Sequence, residues 1–162
     1  MATFTATERR AHLLAATSHG GAYNVINLCS TVEVVATTTT IGQTISFGRI
    51  PSNARILGSS KLYWDALATT GSPALDIGLA AVNGNLAQAD DPNALSDGNL
   101  VTSAGTGKTM PADIANIGLP AWDLVASETS DPGGELEVTG IFTDAVFESD
   151  GTVTADLYYV VD

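Results

Sequence analysis

Cysteine, histidine and basic side chains are what this chain has least of, and each scarcity removes a class of function. One cysteine, Cys29, in 162 residues leaves no intrachain disulfide to form. It lies in the apolar stretch YNVINLCSTVEVV, where a thiol reads as a small buried hydrophobe. A nucleophilic role would need a positioned base, and His12 and His19 both stand near the start of the sequence with no sign that either reaches it. Runs of about eighteen apolar residues are absent, so no segment reads as a membrane-spanning helix. Arg9 and Arg10 precede an apolar patch too short for a signal-peptide core, which predicts synthesis in the cytoplasm and no membrane partner.

Six lysines and arginines stand against eighteen acids, a net charge of −12. Residues 1–64 carry Arg9, Arg10, Arg49, Arg55 and Lys61 against Glu8 and Glu33, a net +3, whereas residues 65–162 carry Lys108 alone against sixteen acids, a net −15. A field of that sign repels phosphate backbones, so nucleic acid is not expected as a partner. A partner with a basic surface fits it, and so does a simple requirement for solubility.

Four constellations suggest chemistry, and none is complete. Residues 103–109, SAGTGKT, end like a phosphate-binding P-loop, but Thr102 occupies the place of its first glycine. Pro111, Gly118 and Pro120 also leave little room for the helix that must follow. In ADDPNALSDGN, the side chains of Asp90, Asp91, Asn93, Asp97 and Asn99 are the oxygen donors calcium takes, yet Ser96 stands where an EF-hand loop needs glycine. Solvated loop acids are the simpler reading. Glu135 and Glu137 fall two apart on a predicted strand and therefore share one face, rather than flanking a cleft as a glycosidase pair does. Tyr63, Trp64, Trp122, Tyr158 and Tyr159 could form a sugar platform, a subunit contact or core. No catalytic residue, cofactor site or metal site is predicted.

The periodicity that is present is two. TVEVVA at 31–36, QTISFGRI at 43–50, ARILGSSKLYW at 54–64, ALDIGLAAV at 74–82, AWDLVAS at 121–127, ELEVTGIFT at 135–143 and TVTADLYYVVD at 152–162 read as strands. Pro51 with Asn53, and DPGGE, supply turns, and Gly58 suggests a bulge. Residues 83–120 lose the alternation and read as a long surface loop insertion. ATERRAHLLAAT near the start, with Thr7 as a possible N-cap, reads as a short helix or an ordered arm. The expected fold is all-β, an antiparallel β-sandwich, jelly-roll-like. It comprises an N-terminal arm or short helix over 1–20 and one β-sandwich domain over 21–162. A five- or six-stranded barrel is the alternative.

Ile50 and Pro51 closing one strand, Ala54 to Gly58 (ARILG), the leucine-rich strand Leu75 to Leu79 and the closing aromatic-valine strand Tyr158 to Val161 give the chain a resemblance to a family. It resembles the small decoration or cement proteins of tailed-bacteriophage heads, and departs from them in residues 83–120 and in ERRAHLLAA. The resemblance implies a β-sandwich without catalytic activity that binds the outside of an assembled head. The implied partners are the major capsid protein and further copies of itself, a trimer by preference, and the implied location is the capsid surface of the virion. From the residues, Arg9, Arg10, Leu13 and Leu14 are the expected partner-binding set, because a chain end carrying two leucines beside two arginines can dock on a neighbouring subunit. A carbohydrate- or receptor-binding β-sandwich, tail-associated forms included, is the alternative function.

Overall fold

A computed structural model describes residues 4–5, 7–14, 25–36, 41–82, 90–126 and 128–161. Eleven strands are found there: β1 (Phe4–Thr5), β2 (Thr7–Leu14), β3 (Val25–Val34), β4 (Thr44–Pro51), β5 (Ala54–Ile56), β6 (Lys61–Trp64), β7 (Ala74–Ala81), β8 (Asp91–Leu100), β9 (Gly105–Thr109), β10 (Glu135–Thr143) and β11 (Gly151–Val161). They form two sheets, in the orders β1-β4-β10-β7-β8 and β2-β3-β11-β6-β9, with β5 extending the β6 side of β11. All pairings are antiparallel except the two-residue β1–β4 contact. The antiparallel β-sandwich expected from the alternation is therefore the architecture found. No helix among the described residues is long and apolar enough to cross a membrane.

The two-residue period places the core. Ile45 and Phe47 on β4, Leu75, Ile77 and Leu79 on β7, and Leu136 and Val138 on β10 are buried from one sheet; Val32 and Val34 on β3, Leu62 on β6, and Val153, Ala155 and Leu157 on β11 are buried from the other. Each of these side chains other than Ala155 contributes about 1.5–3 kcal/mol relative to exposure. Gly140 on β10 faces the same core, where an added Cβ would stand 2.9 Å from Ile45 and 3.2 Å from Leu75. The missing side chain makes room for its neighbours.

The register fixes the two ends of the sandwich. Pro51, Glu135, Ala81 and Asp91 align at one end of the first sheet; Thr44, Thr143, Ala74 and Leu100 align at the other. In the second sheet Gly151, Val34, Trp64 and Gly105 lie toward that second end. Residues 65–73, 101–104 and 144–150 cross between the sheets there, β3 ends and β4 begins there as the fourth crossing, and we call it the crossover end.

Several expectations are corrected. Residues 7–14 are strand β2, antiparallel to β3 with a register break between Arg9 and His12, not a helix. An eight-residue helix is marginal in isolation, whereas the long edge of β3 offers backbone partners along its length. Residues 83–120 are not one loop: they contain β8, β9 and a 3₁₀ turn at Ile114–Asn116, while 83–89 lie outside the described residues. β8 hides its strand character because it is irregular. Its register jumps between Leu75 and Ile77 and again between Ile77 and Leu79 of β7, so a proline and a glycine are accommodated on this edge strand. Residues 121–124 are a second 3₁₀ turn rather than a strand, burying Ala121 and Leu124, three apart. Gly58 belongs to a turn between β5 and β6, not a bulge. Cys29 is only half-buried, because the core face of β3 belongs to Leu28, Ser30, Val32 and Val34.

Candidate interaction surfaces

The expected partner-binding residues lie on β2. Arg9 pairs with Cys29, and Leu13 and Leu14 pair with Ile26 and Val25; Arg10 falls in the register break. Their backbone thus forms an edge strand of the second sheet, and their side chains lie outside the described residues, as does His19. β1 lies in the other sheet, so the segment from Phe4 to Leu14 touches both sheets along their edges.

The P-loop-like residues form strand, not loop. Gly105–Thr109 is β9, paired with β6, and Lys108 Nζ reaches the Asp97 carbonyl at 3.3 Å. An extended backbone cannot wrap consecutive N–H groups around phosphates, which is what the P-loop's glycines permit. These glycines serve packing instead: a Cβ on Gly105 would lie 2.3 Å from the Trp64 ring.

The acids near residue 90 do not converge. Asp90 Oδ1 accepts the Ala81 N–H at 2.8 Å and Asp91 Oδ2 accepts the Ala126 N–H at 2.8 Å. Asn99 is buried, donating to the Leu75 carbonyl at 2.6 Å and accepting from Ser96 Oγ at 3.0 Å. They anchor the irregular strand β8, and among the described residues no group of three or more acids, histidines or cysteines could hold a metal. Glu135 pairs with Arg49 at 3.8 Å, and Glu137 accepts from Ser46 Oγ at 2.5 Å. Glu137 also lines a shallow cavity of about 400 Å³ with Thr44, Ala80, Asp90, Pro92 and Thr139. Both glutamates are thus tied to their own sheet, as the shared strand face requires.

The aromatic residues divide between roles. Tyr159 is buried and Trp122 packs half-buried against the core. Trp64 donates its Nε1–H to the Ser103 carbonyl at 3.0 Å, and Tyr63, on the next position of β6, is exposed. Tyr63 and Trp64 line a cavity of about 290 Å³ with Asp65, Thr106, Thr152 and Thr154. Tyr158 faces outward beside Asp156, whose charge pushes its hydroxyl pKa up.

Two carboxyls near the crossover end depart from their ordinary pKa, Glu148 more strongly than Asp76. Burial pushes Asp76 up, Asp97 and Asp144 reinforce this, and the Gly98 N–H at 2.7 Å opposes it. Glu148 is held down to about 2 by the Thr70 and Thr69 hydroxyls and by the backbone N–H groups of both residues. The carboxylate of Glu148 thereby fastens the connection 144–150 to the connection 65–73. Beside them stand exposed Ile41, Leu100 and Val146, which the alternation did not single out. Their signal in the sequence is an apolar residue inside a polar connection, as in TTTTIGQ and DAVFESDG.

No family model matches this chain, and no curated protein does. Among solved structures, the capsid of Ralstonia phage GP4 contains a chain that superposes with a TM-score of 0.57 at 18% identity, over 93% of this chain and 91% of that one. At that identity the likeness speaks for the fold alone. A chain of the infectious bursal disease virus Gx strain gives a TM-score of 0.45 at 13% identity over 95% of this chain but 38% of its own length, too slight a likeness to carry an argument.

Proposed function

We propose that this protein is a virion structural subunit that decorates or cements the outside of a tailed-phage head through protein–protein contacts, without catalytic activity. The observation that carries the reading is the likeness of fold, over nearly the full length of both chains, to a component of the Ralstonia phage GP4 capsid. The sheet orders β3-β11-β6-β9 and β4-β10-β7-β8 support it as well, since they suit a jelly roll, an architecture used by viral capsid and lectin domains. The partners in this reading are the major capsid protein and other copies of the chain, as a trimer, with Arg9, Arg10, Leu13 and Leu14 of β2 contributing to the contact. A −12 chain suits protein partners better than the packaged genome.

The test is reconstitution. Heads assembled without this protein are mixed with the purified chain, re-isolated by sedimentation and imaged by electron microscopy. Stoichiometric density on the outer surface is expected, with heads that resist heat or low salt better than bare ones. No co-sedimentation, or density confined to the tail, overturns the reading. Exposed Tyr63 beside the threonine-lined cavity favours a second reading, a saccharide site. A glycan array whose hits disappear in Tyr63→Ala would support it.

A further inference from the structure

We infer that the crossover end of the sandwich is the docking surface, and that its occupant is a protein surface with an apolar centre inside a ring of lysine and arginine. The inference rests on the capsid-associated reading above and names the face and the partner chemistry.

Three large apolar side chains project there: Ile41 is 59% exposed, Leu100 55% and Val146 52%. The register brings them together. Leu100 pairs with Ala74, Ala74 pairs with Thr143, and the Gly42 N–H, next to Ile41, donates to the Phe142 carbonyl at 2.8 Å. Val146 follows three residues after Thr143. At about 4.8 Å per strand spacing, the backbone positions that carry them span about three spacings, about 15 Å.

The patch is held in place by its surroundings. Phe147 is buried edge-on against Phe142, with ring centroids 4.2 Å apart and planes at 84°, so its neighbour Val146 faces outward by alternation. Glu148 grips Thr69 and Thr70, and the Glu148 and Ser149 N–H groups both donate to the Leu67 carbonyl. Leu67 N–H in turn donates to the Val101 carbonyl, and Val101 N–H to that of Pro73. Three of the four connections are therefore fastened to one another, and a surface already ordered loses little entropy when it binds.

Charge selects the occupant. Around the tips stand exposed Glu33, Asp65, Asp97, Asp144, Glu148 and Asp150. Of the described bases, Arg49 and Arg55 lie near the opposite end and Lys61 at the middle of the second sheet, level with Asp156. Lys108, on β9 at the level of Ala155, reaches the Asp97 carbonyl at 3.3 Å and is the one described base to touch the acidic ring. A second copy offering the same end would meet like charge, and an anionic membrane or nucleic acid would be repelled. A basic-rimmed apolar protein surface is the complement that remains, with the apolar tips as central anchors and the acids as rim.

The experiment uses the purified full-length chain and heads assembled without it, reading bound chain per head over a concentration series. The triple variant Ile41→Ser, Leu100→Ser, Val146→Ser should bind at least tenfold more weakly at an unchanged melting temperature. Ile114→Ser, which alters an 82% exposed side chain at the opposite end, should bind as the parent does. Asp97→Asn with Asp144→Asn should flatten the loss of binding between 50 and 500 mM NaCl. Parent binding that the triple variant retains, or that Ile114→Ser abolishes, overturns the choice of face and leaves the capsid-associated reading standing. Parent protein that does not bind the heads overturns that reading, and this inference with it.

Discussion

Replacing Gly78 by alanine should destabilise the protein more than any comparable change at its other glycines, for a reason visible at one point of the fold. Gly78 sits in the middle of β7, and the start of β8 crosses directly over it. An added Cβ would lie 2.0 Å from the Asp91 carbonyl oxygen, 2.3 Å from the Pro92 carbonyl carbon and 2.5 Å from the Pro92 oxygen. These are backbone atoms, so no side-chain rotation relieves the overlap, and the strand must move by more than an ångström. Overpacking of this kind costs about 1–3 kcal/mol, and the shift also disturbs the hydrogen bonds of Asp90 to Ala81 and Asp91 to Ala126, each 2.8 Å long. Allowing about 1 kcal/mol for those solvent-exposed bonds together, the total is about 3 kcal/mol. For a chain of this size that corresponds to a melting temperature about 6–12 °C lower. Gly98→Ala is the control: its φ of +60° strains any side chain, but nothing lies within 4 Å of the added carbon. It should cost about 1 kcal/mol and about 2–4 °C. Calorimetry gives both values, and hydrogen exchange should show the Ala81 and Ala126 amides opening in Gly78→Ala but not in Gly98→Ala. A fall of less than about 2 °C in Gly78→Ala, with both amides still protected, would refute the close approach of β8.

Three further outcomes follow from buried or fastened polar groups. The Asp76 carboxyl is raised by burial, so its ionised form costs stability as pH rises through its folded-state pKa, above the ordinary 3.8. Asp76→Asn should melt higher than the parent at pH 7, with the gain gone by pH 3; a lower melting temperature at pH 7 would contradict the assignment. Glu148 is depressed from 4.5 to about 2, so its contribution is fully present above about pH 4.5 and is lost as pH falls through about 2. Melting curves of Glu148→Gln should differ most from the parent above pH 4.5 and converge with it near pH 2, and a constant difference would count against the clasp. Ser30 Oγ is buried on β3 with no hydrogen-bond partner among the described residues. Because an unmet buried hydroxyl costs about 1–3 kcal/mol, Ser30→Ala should raise the urea midpoint or leave it unchanged, and a lower midpoint would reveal a bond to that oxygen.

Where strands bury one face and leave the other more open, the alternation in the sequence located them: β4, β10 and β11 place their alternating apolar residues inward, as does β7, although residues 74–79 of β7 are buried on both faces. The misses share a cause. β8 and β9 are edge strands whose glycines, Pro92 and irregular register answer to local packing rather than to a two-sided pattern. Ala121 and Leu124 are spaced for a 3₁₀ turn, although the apolar content of AWDLVAS reads as a strand. β2 is held by an edge that only the three-dimensional sheet supplies, so its helical propensity was no guide. The apolar tips are illegible for a different reason: Ile41, Leu100 and Val146 are 46 to 105 residues apart in sequence, and the pairing of Leu100 with Ala74 and of Ala74 with Thr143 makes them neighbours.

The charge split shows how a linear pattern is transformed by topology. Had the basic first part and the acidic remainder folded as separate layers, one sheet would be positive and the other negative. Instead each sheet mixes the two: β4 pairs with β10 in one, and β3 and β6 pair with β11 in the other. What differs along the strands is the placement of the bases: both ends carry acids, Asp91, Glu135 and Glu137 among them at the far end. Three of the four crossover connections, 65–73, 101–104 and 144–150, come from the acidic part of the chain and carry Asp65, Asp144, Glu148 and Asp150, while Arg49 and Arg55 are held at the far end of β4 and in β5. Exposed charges separated by more than about 8 Å are largely screened at physiological salt, so the local balance decides: Arg49 offsets Glu135 at the far end, while the acids of the crossover connections have no such described ion pair. A net charge that says only "acidic protein" in the sequence thus becomes, in the fold, a locally unpaired acidic rim at one end of the sandwich, which favours a basic surface as the two come within a few ångströms.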